Sequence, residues 1–159
     1  MRKQKVYLET TLFNFYVDKD RGFAHESTIA LFKEIAIGKY EVFTSDYVID
    51  ELQRASKEKQ DKMLRLISEY GVLVLSYNND AAELADKYIA EGAIPATHKT
   101  DALHIAVSAV NDLDMIISMN FQHIVKRKTK YITSVINVLN GYRAVEILSP
   151  MEVIDNEND

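Results

Sequence analysis

Lys99-Thr100-Asp101-Ala102-Leu103-His104-Ile105-Ala106 leads through an apolar stretch into Asp114-Met115-Ile116-Ile117-Ser118, and then into Met119-Asn120-Phe121. Ala102, Ile105, Ala106, Ala109 and Val110 recur at i, i+3, i+4 spacing, which predicts a helix with one apolar stripe. The short apolar run behind it is a strand. Asp101 opens the helix, where the dipole and capping both favour an acid, so on its own it has a structural explanation.

Working outward, the same alternation of strand and helix continues. Upstream, Val6-Tyr7-Leu8 is a short strand ending in Glu9-Thr10-Thr11. Leu12, Phe13, Phe15, Tyr16 and Val17 follow as a helical turn packed on the core. Asp18 to Gly22 reads as an exposed loop. A helix from about Glu26 carries Ile29, Phe32, Ile35 and Ala36 inward and stops at Gly38. Glu41-Val42-Phe43-Thr44 is a second strand, after which Ser45 is the expected N-cap of a helix burying Val48, Ile49 and Leu52. Glu51 borders that buried face. Met63, Leu66, Ile67 and Tyr70 mark another helix. Val72-Leu73-Val74-Leu75, a continuous apolar run, is expected to be a strand buried on both sides. Asn79 or Asp80 should cap a helix bearing Ala81, Leu84, Ala85, Tyr88 and Ile89, with a loop from Ile94 to His98 leading to Asp101.

Downstream, Ile132, Val135, Ile136 and Leu139 define a helix, Val145-Glu146-Ile147-Leu148 a last strand, and Ser149-Pro150 the start of a final turn. Short apolar strands separated by crossover-length connections predict an α/β fold with a parallel sheet of about five strands.

The chain of 159 residues is read as one domain over residues 1–150 with an acidic tail at 151–159. Hydrophobic residues make up 47% and charged residues 27%, values of an ordinary globular protein. The absence of cysteine excludes disulfides, thiolate metal sites and cysteine nucleophiles. The stretch after Met1-Arg2-Lys3-Gln4-Lys5 is not apolar for long enough to be a signal peptide or a membrane span, so a cytoplasmic location is expected, without a membrane partner. A net charge of −5 and a pI near 5.4 argue against sequence-independent coating of nucleic acid. Lys126, Arg127, Lys128 and Lys130 nevertheless form a basic cluster after the Asn120 loop.

Ligands of parallel sheets bind beyond the carboxyl ends of the strands. Glu9 follows the first strand, Glu51 lies on the helix after the second, Asp101 fronts the helix into the Ile116-Ile117 strand, and Asn120 follows that strand. Three carboxylates and one carboxamide therefore converge on one end of the sheet. Each has a structural alternative: a strand-end residue, a helix surface charge, a turn residue. Together they repel unless a cation is present, and oxygen ligands without cysteine suit Mg²⁺ or Mn²⁺, ions that orient phosphate and help generate hydroxide. No histidine pair has metal-ligand spacing, which speaks against zinc. His104 and His123 read as packing residues. Thr10, Thr11 and Ser118 can orient the carboxylates by hydrogen bonds, Thr10 first among them. With only five glycines and no Gly-rich loop after the first strand, a triphosphate cradle is excluded.

Val6 to Thr11, Thr44-Ser45-Asp46-Tyr47-Val48-Ile49-Asp50-Glu51-Leu52, Lys99 to Ala106 and Ile116-Ile117-Ser118-Met119-Asn120-Phe121 together resemble, in order, the signature of the PIN-domain family, which includes virulence-associated protein C-type toxins. The resemblance spans about residues 5 to 150, and its most specific piece is Asp-Ala-Leu-His-Ile-Ala followed by strand, Ser-x-Asn-Phe and His123-Ile124. It implies a Rossmann-like three-layer fold and a Mg²⁺- or Mn²⁺-dependent endoribonuclease, many relatives being toxins of toxin–antitoxin modules. By position, Glu9 matches the first acid (usually Asp), Glu51 the second and Asp101 the third, while Asn120 falls where many members carry a fourth acid. The implied catalytic set is Glu9, Glu51, Asp101 and Asn120, with Glu9, Asp101 and Asn120 at the metal and Lys99, Lys126, Arg127 and Lys128 as RNA contacts. RNA, an antitoxin protein and a second copy of the chain are the implied partners. The two departures, Glu9 and Asn120, also keep open a catalytically weak PIN fold that binds RNA or protein.

Overall fold

Val6, Tyr7 and Leu8, all without solvent exposure, form the middle of the sheet. In the computed structural model, which describes residues 2–154, their strand β1 (Gln4–Leu8) is followed by α1 (Thr10–Val17), α2 (Phe23–Ala36), β2 (Tyr40–Ser45), α3 (Asp46–Leu52) and α4 (Lys57–Glu69). Then come β3 (Leu73–Leu75), α5 (Asn79–Ala90), α6 (Lys99–Val110), β4 (Met115–Ile117), α7 (Arg127–Leu139), β5 (Glu146–Leu148) and α8 (Pro150–Val153). The five strands lie in the order β3-β2-β1-β4-β5 and every pair is parallel. Val6 stands opposite Val42 on one side and Met115 on the other. Parallel neighbours need crossovers, and the helices that supply them cover both faces, giving the three-layer α/β architecture.

This order fixes where a site can form. From β1 the chain crosses to β2 on one side, and β4 pairs on the other, so the connections diverge at the β1–β4 boundary. Crevices outside the carboxyl ends of the strands at such a divergence are the ligand-binding position of open α/β sheets. Glu9 and Ser118 stand immediately after Leu8 and Ile117, which are paired in register.

Helix α6 is the most deeply buried helix, with Asp101, Ala102 and every residue from His104 to Ala109 buried. It packs mainly against α5. Its burial extends well beyond the stripe read from the sequence, taking in Val107 and Ser108, whose hydroxyl donates to the His104 carbonyl at 2.9 Å.

Several local expectations change. The Val72–Leu75 run is not buried on both sides: β3 is an edge strand paired only with β2, leaving Leu73 58% and Val74 41% exposed. In α7 Ile136 of the apolar stripe is buried and Ile132 packs half-buried against the core, but Val135 and Leu139 face outward and Thr129, Thr133 and Asn137 complete the buried face. Thr133 donates to the Thr129 carbonyl at 2.7 Å and Asn137 Oδ1 accepts from the Tyr88 hydroxyl, while Asn137 Nδ2 is buried without a partner. In α2 the inward face includes Ser27, Thr28 and Leu31, while Ala36 is exposed and the helix begins at Phe23. Asn78, not Asn79 or Asp80, caps α5, accepting from the Ala81 N–H at 3.1 Å. Ser45 is the N-cap of α3 by position but makes no capping bond, because its hydroxyl is held by Tyr7. Beyond residue 150 the chain continues as α8, opened by a Ser149–Glu152 capping box and packed on α2. The tail acids Asp155, Glu157 and Asp159 lie outside the described residues.

Candidate functional site

Glu9 ends β1 and is the N-cap residue of α1. Its side chain turns inward and is 2% exposed. One carboxylate oxygen, Oε1, accepts from the Thr11 N–H at 3.2 Å, the Thr11 hydroxyl at 2.6 Å and the Ser118 hydroxyl at 2.6 Å. The two hydroxyls are themselves fixed, Thr11 Oγ1 accepting from the Met119 N–H at 2.8 Å and Ser118 Oγ from the Asn120 N–H at 2.9 Å. Glu9 thereby clamps the start of α1 to the chain leaving β4. No donor among the described residues reaches its second oxygen.

Glu51 comes from the last turn of α3 and has the same division of labour. Its Oε1 accepts from the Thr10 hydroxyl at 2.7 Å and from His104 Nε2 at 2.6 Å, and its Oε2 has no donor among the described residues. His104 sits on α6 with no solvent exposure. Its Nδ1 meets the Tyr7 hydroxyl at 2.7 Å, which meets Ser45 Oγ at 2.6 Å. A hydrogen-bonded chain thus runs from Ser45 through Tyr7, His104 and Glu51 to Thr10, linking β2, β1, α6, α3 and α1.

Asp101 occupies the first turn of α6 and is 9% exposed. Asn120 lies beside it and its side-chain amide helps to lower the Asp101 carboxyl, while its Oδ1 accepts from the His123 N–H at 3.0 Å. The amide oxygen is therefore engaged by the backbone, and the group offers Asp101 a donor rather than a charge. His98 Nδ1 stands 3.7 Å from Asp101 Oδ2.

Ligand-type atoms gather in two groups, each within 4.8 Å: Glu9, Glu51 and His104 in one, His98, Asp101 and His123 in the other. The structure brings Glu9 and Glu51 together directly. Asp101 adjoins them electrostatically and is geometrically closer to the two histidines. Asn120 supports Asp101. Thr10 and Ser118 each hold one glutamate. Lys99 is the first residue of α6, with its Nζ 3.0 Å from Asp86. Lys126, Arg127 and Lys128 are exposed at the start of α7. From the sequence His104 reads as a packing residue and Tyr7 only as part of a strand. The spacing of His104, one turn after Asp101, was the available signal for a place on the same face.

The charges settle in a definite pattern. Burial would lower His104, but its hydrogen bond to Glu51 and the charges of Glu9, Glu51 and Asp101 raise it above the usual histidine value. Burial would raise Glu51, yet the His104 bond and charge, with Thr10 and Arg54 adding, bring it below the usual carboxylate value. The two therefore form a buried ion pair. Glu9 is raised by burial, with Glu51 adding, against the pull of His104, Ser118 and Thr11. Asp101 is raised by burial, with Glu51 adding, against His104, Asn120 and His123. With all three carboxylates ionised and His104 protonated, the cluster carries two negative charges, enough to attract a divalent cation.

No protein-family profile and no curated protein matches the sequence. Among solved structures, the VapBC2 structure from Rickettsia felis, bound to a DNA fragment from its promoter, aligns with a TM-score of 0.62 at 12% identity, covering 92% of this chain and 98% of that one. VapC20 of Mycobacterium tuberculosis, a toxin that cleaves the sarcin–ricin loop, aligns with a TM-score of 0.53 at 15% identity over 88% of this chain and 98% of that one. At these identities the likeness is one of fold. The chain has the PIN-type fold of the VapC proteins.

Proposed function

We propose that this chain is a divalent-metal-dependent endoribonuclease of PIN type, acting in the cytoplasm as the toxin of a toxin–antitoxin pair. The observation that carries the reading is the convergence of Glu9 and Glu51, with Asp101 alongside, at the carboxyl ends of the strands in a VapC-like fold.

The donor set fits a hard cation such as Mg²⁺ or Mn²⁺. In each glutamate one oxygen is saturated by protein donors, which orients the carboxylate, while the other is left to a ligand. Carboxylates held in this way are what a small cation with strict geometry requires. When bound, the ion would supply Lewis-acid stabilisation of a phosphodiester and a water of lowered pKa. Glu9, Asp101 and Glu51 would hold it, with Asn120 at the edge. The remaining steps belong to the chain. Thr10, Thr11 and Ser118 fix the carboxylates so that they do not reorganise during reaction. His104 balances part of their charge and keeps Glu51 ionised. Lys126, Arg127 and Lys128, exposed at the start of α7, and Lys99, at the start of α6, would neutralise the backbone of a bound RNA.

The test is cleavage of a panel of RNAs by the purified chain in Mg²⁺ or Mn²⁺. Metal-dependent cleavage is expected, with Asp101→Asn and Glu51→Gln each losing activity on the order of a hundredfold or more, since metal-borne charge stabilisation is worth several kcal/mol. Cleavage that survives both substitutions, or chelation, overturns the reading.

A second reading rests on Asn120. With its oxygen committed to the His123 N–H, this position adds no charge, which weakens metal affinity. A PIN fold that binds RNA or a protein and cleaves poorly is the outcome if RNA is retained but not cut. The antitoxin is supported by the VapBC2 likeness, and a small upstream reading frame whose product co-purifies with the chain would identify it. A homodimer is the remaining element of the reading, checked by sedimentation of the purified chain.

A further inference from the structure

Asp101 keeps company that the glutamate cluster does not account for. His98 and Asp101 are three residues apart at the entry to α6, a spacing that sets side chains on one face. His98 Nδ1 stands 3.7 Å from Asp101 Oδ2. From the turn after β4, His123 places its ring 3.9 Å from that of His98, centroid to centroid, and one ligand atom from each of the three residues falls within 4.8 Å of the others. The backbone on both sides is pinned. The His98 N–H donates to the Pro95 carbonyl at 2.9 Å, the His123 N–H to Asn120 Oδ1 at 3.0 Å, and the Thr129 hydroxyl to the His123 carbonyl at 2.8 Å. None of these ties uses an imidazole nitrogen. His123 Nε2 is closed off from solvent without any hydrogen-bond partner. Buried polar atoms are nearly always paired, so an unpaired imidazole nitrogen beside a second imidazole and a carboxylate calls for a ligand.

We propose that His98, Asp101 and His123 form a second metal site, for a nitrogen-preferring divalent transition ion such as Zn²⁺. Two imidazoles and a carboxylate select such ions over Mg²⁺, and three protein ligands leave a position for water. Two ligand atoms on a tetrahedral ion with bonds of 2.0–2.1 Å lie about 3.3 Å apart, so the His98–Asp101 pair must close by only a few tenths of an ångström. His98, with 47% of its side chain exposed, has room to do so. Sequence spacing hid the site, because the second histidine arrives from a different turn. The site does not depend on the nuclease reading. Because Asp101 belongs to both groups, an ion here and an ion at the glutamates change each other's affinity by the same factor.

The test is a titration of the metal-free chain with Co²⁺, followed by its visible absorption, in a large excess of Mg²⁺ and then with Zn²⁺ as competitor. One equivalent of Co²⁺ is expected to bind with ligand-field bands that Zn²⁺ removes and Mg²⁺ does not. His98→Ala and His123→Ala should each weaken binding by roughly tenfold or more, while Glu51→Gln stays within about twofold of the parent. Full-affinity Co²⁺ binding in His98→Ala, whose exposed side chain is not needed for folding, overturns the site. So does loss of binding in Glu51→Gln with both histidine variants unaffected, which would place the ion at the glutamates instead. Co²⁺ binding at the histidines by a chain that cleaves no RNA would uphold this site and count only against the nuclease.

Discussion

Two groups of side chains that could hold a metal ion sit side by side at one end of the sheet, and they are built in opposite ways. Around Glu9 and Glu51 hydroxyls, backbone N–H groups and a buried histidine are spent on orienting two carboxylates. Around His98 and His123 the backbone is tied down but the imidazoles are left with almost nothing to bond. The first group is held by its network, so its members matter for stability as well as for binding. The second is held by its turns, so its side chains can be removed at little cost to the fold.

The largest expected difference comes from His104→Ala. It strips a buried cation from Glu51 and Glu9, and deleting one member of a buried pair typically costs about 3 kcal/mol or more. Urea unfolding of the metal-free protein measures it, and a loss below about 1 kcal/mol would break the contrast. Ser118→Ala should cost about 1–2 kcal/mol, because it removes a donor from Glu9 and leaves the Asn120 N–H without its acceptor.

A pH effect comes next. His104 is raised on folding, so its contribution is complete below the unfolded histidine value of about 6.5 and is lost as pH rises through the higher folded value. Glu9 and Asp101, also raised, act in the same direction from a lower starting pH: their contribution is complete below their unfolded values and lost as pH rises through the folded ones. Glu51, lowered, acts oppositely, and its contribution is lost only as pH falls through its folded value in the acid range. The unfolding free energy of the metal-free chain, from urea titration, should therefore decline as pH rises above about 6.5, by at most about 1.4 kcal/mol per unit for one proton. His104→Gln should flatten that slope, and equal slopes would refute the assignment. Smallest of all, His98→Ala should leave stability within about 0.5 kcal/mol. A large loss would mean that the second group is also held by its side chains.

The same contrast explains what the sequence could and could not convey. Strand and helix alternation reports local periodicity, and Val6 to Leu8, Met115 to Ile117 and the α6 stripe carry it plainly. Position within a sheet is not periodic. Val72 to Leu75 is as apolar as a central strand, yet β3 ends the sheet, and only the pairing shows it. Thr129, Thr133 and Asn137 look like solvent-facing residues by type, and their hydroxyls and the Asn137 amide oxygen find partners on α7 itself, on the His123 turn, at Ala93 or on α5 once buried. The place of Glu9 and Asp101 at this end of the sheet was legible because one follows a strand and the other opens a helix, and that of Glu51 because its short helix follows a strand. The partners of the histidines were not. His104 meets Tyr7 across 97 residues and Glu51 across 53, separations that no spacing rule spans.

Strand β1 lies between a partner that follows it closely and one that comes late. Val6 pairs with Val42 and also with Met115, and the hydrogen bond from Ser118 to Glu9 spans 109 residues. A ribosome-bound chain that has emerged only as far as α5 already contains Glu9, Thr10, Thr11 and Glu51. It lacks His104 and Ser118, so neither glutamate has its full set of donors. Contacts of such long range bear a loop-closure cost that is recovered only when the partner strand docks, which makes them late events in folding. The carboxylates are thus brought into register only after nearly three-quarters of the chain has been made, and a prematurely terminated product would carry two of the acids without the geometry that makes them a site.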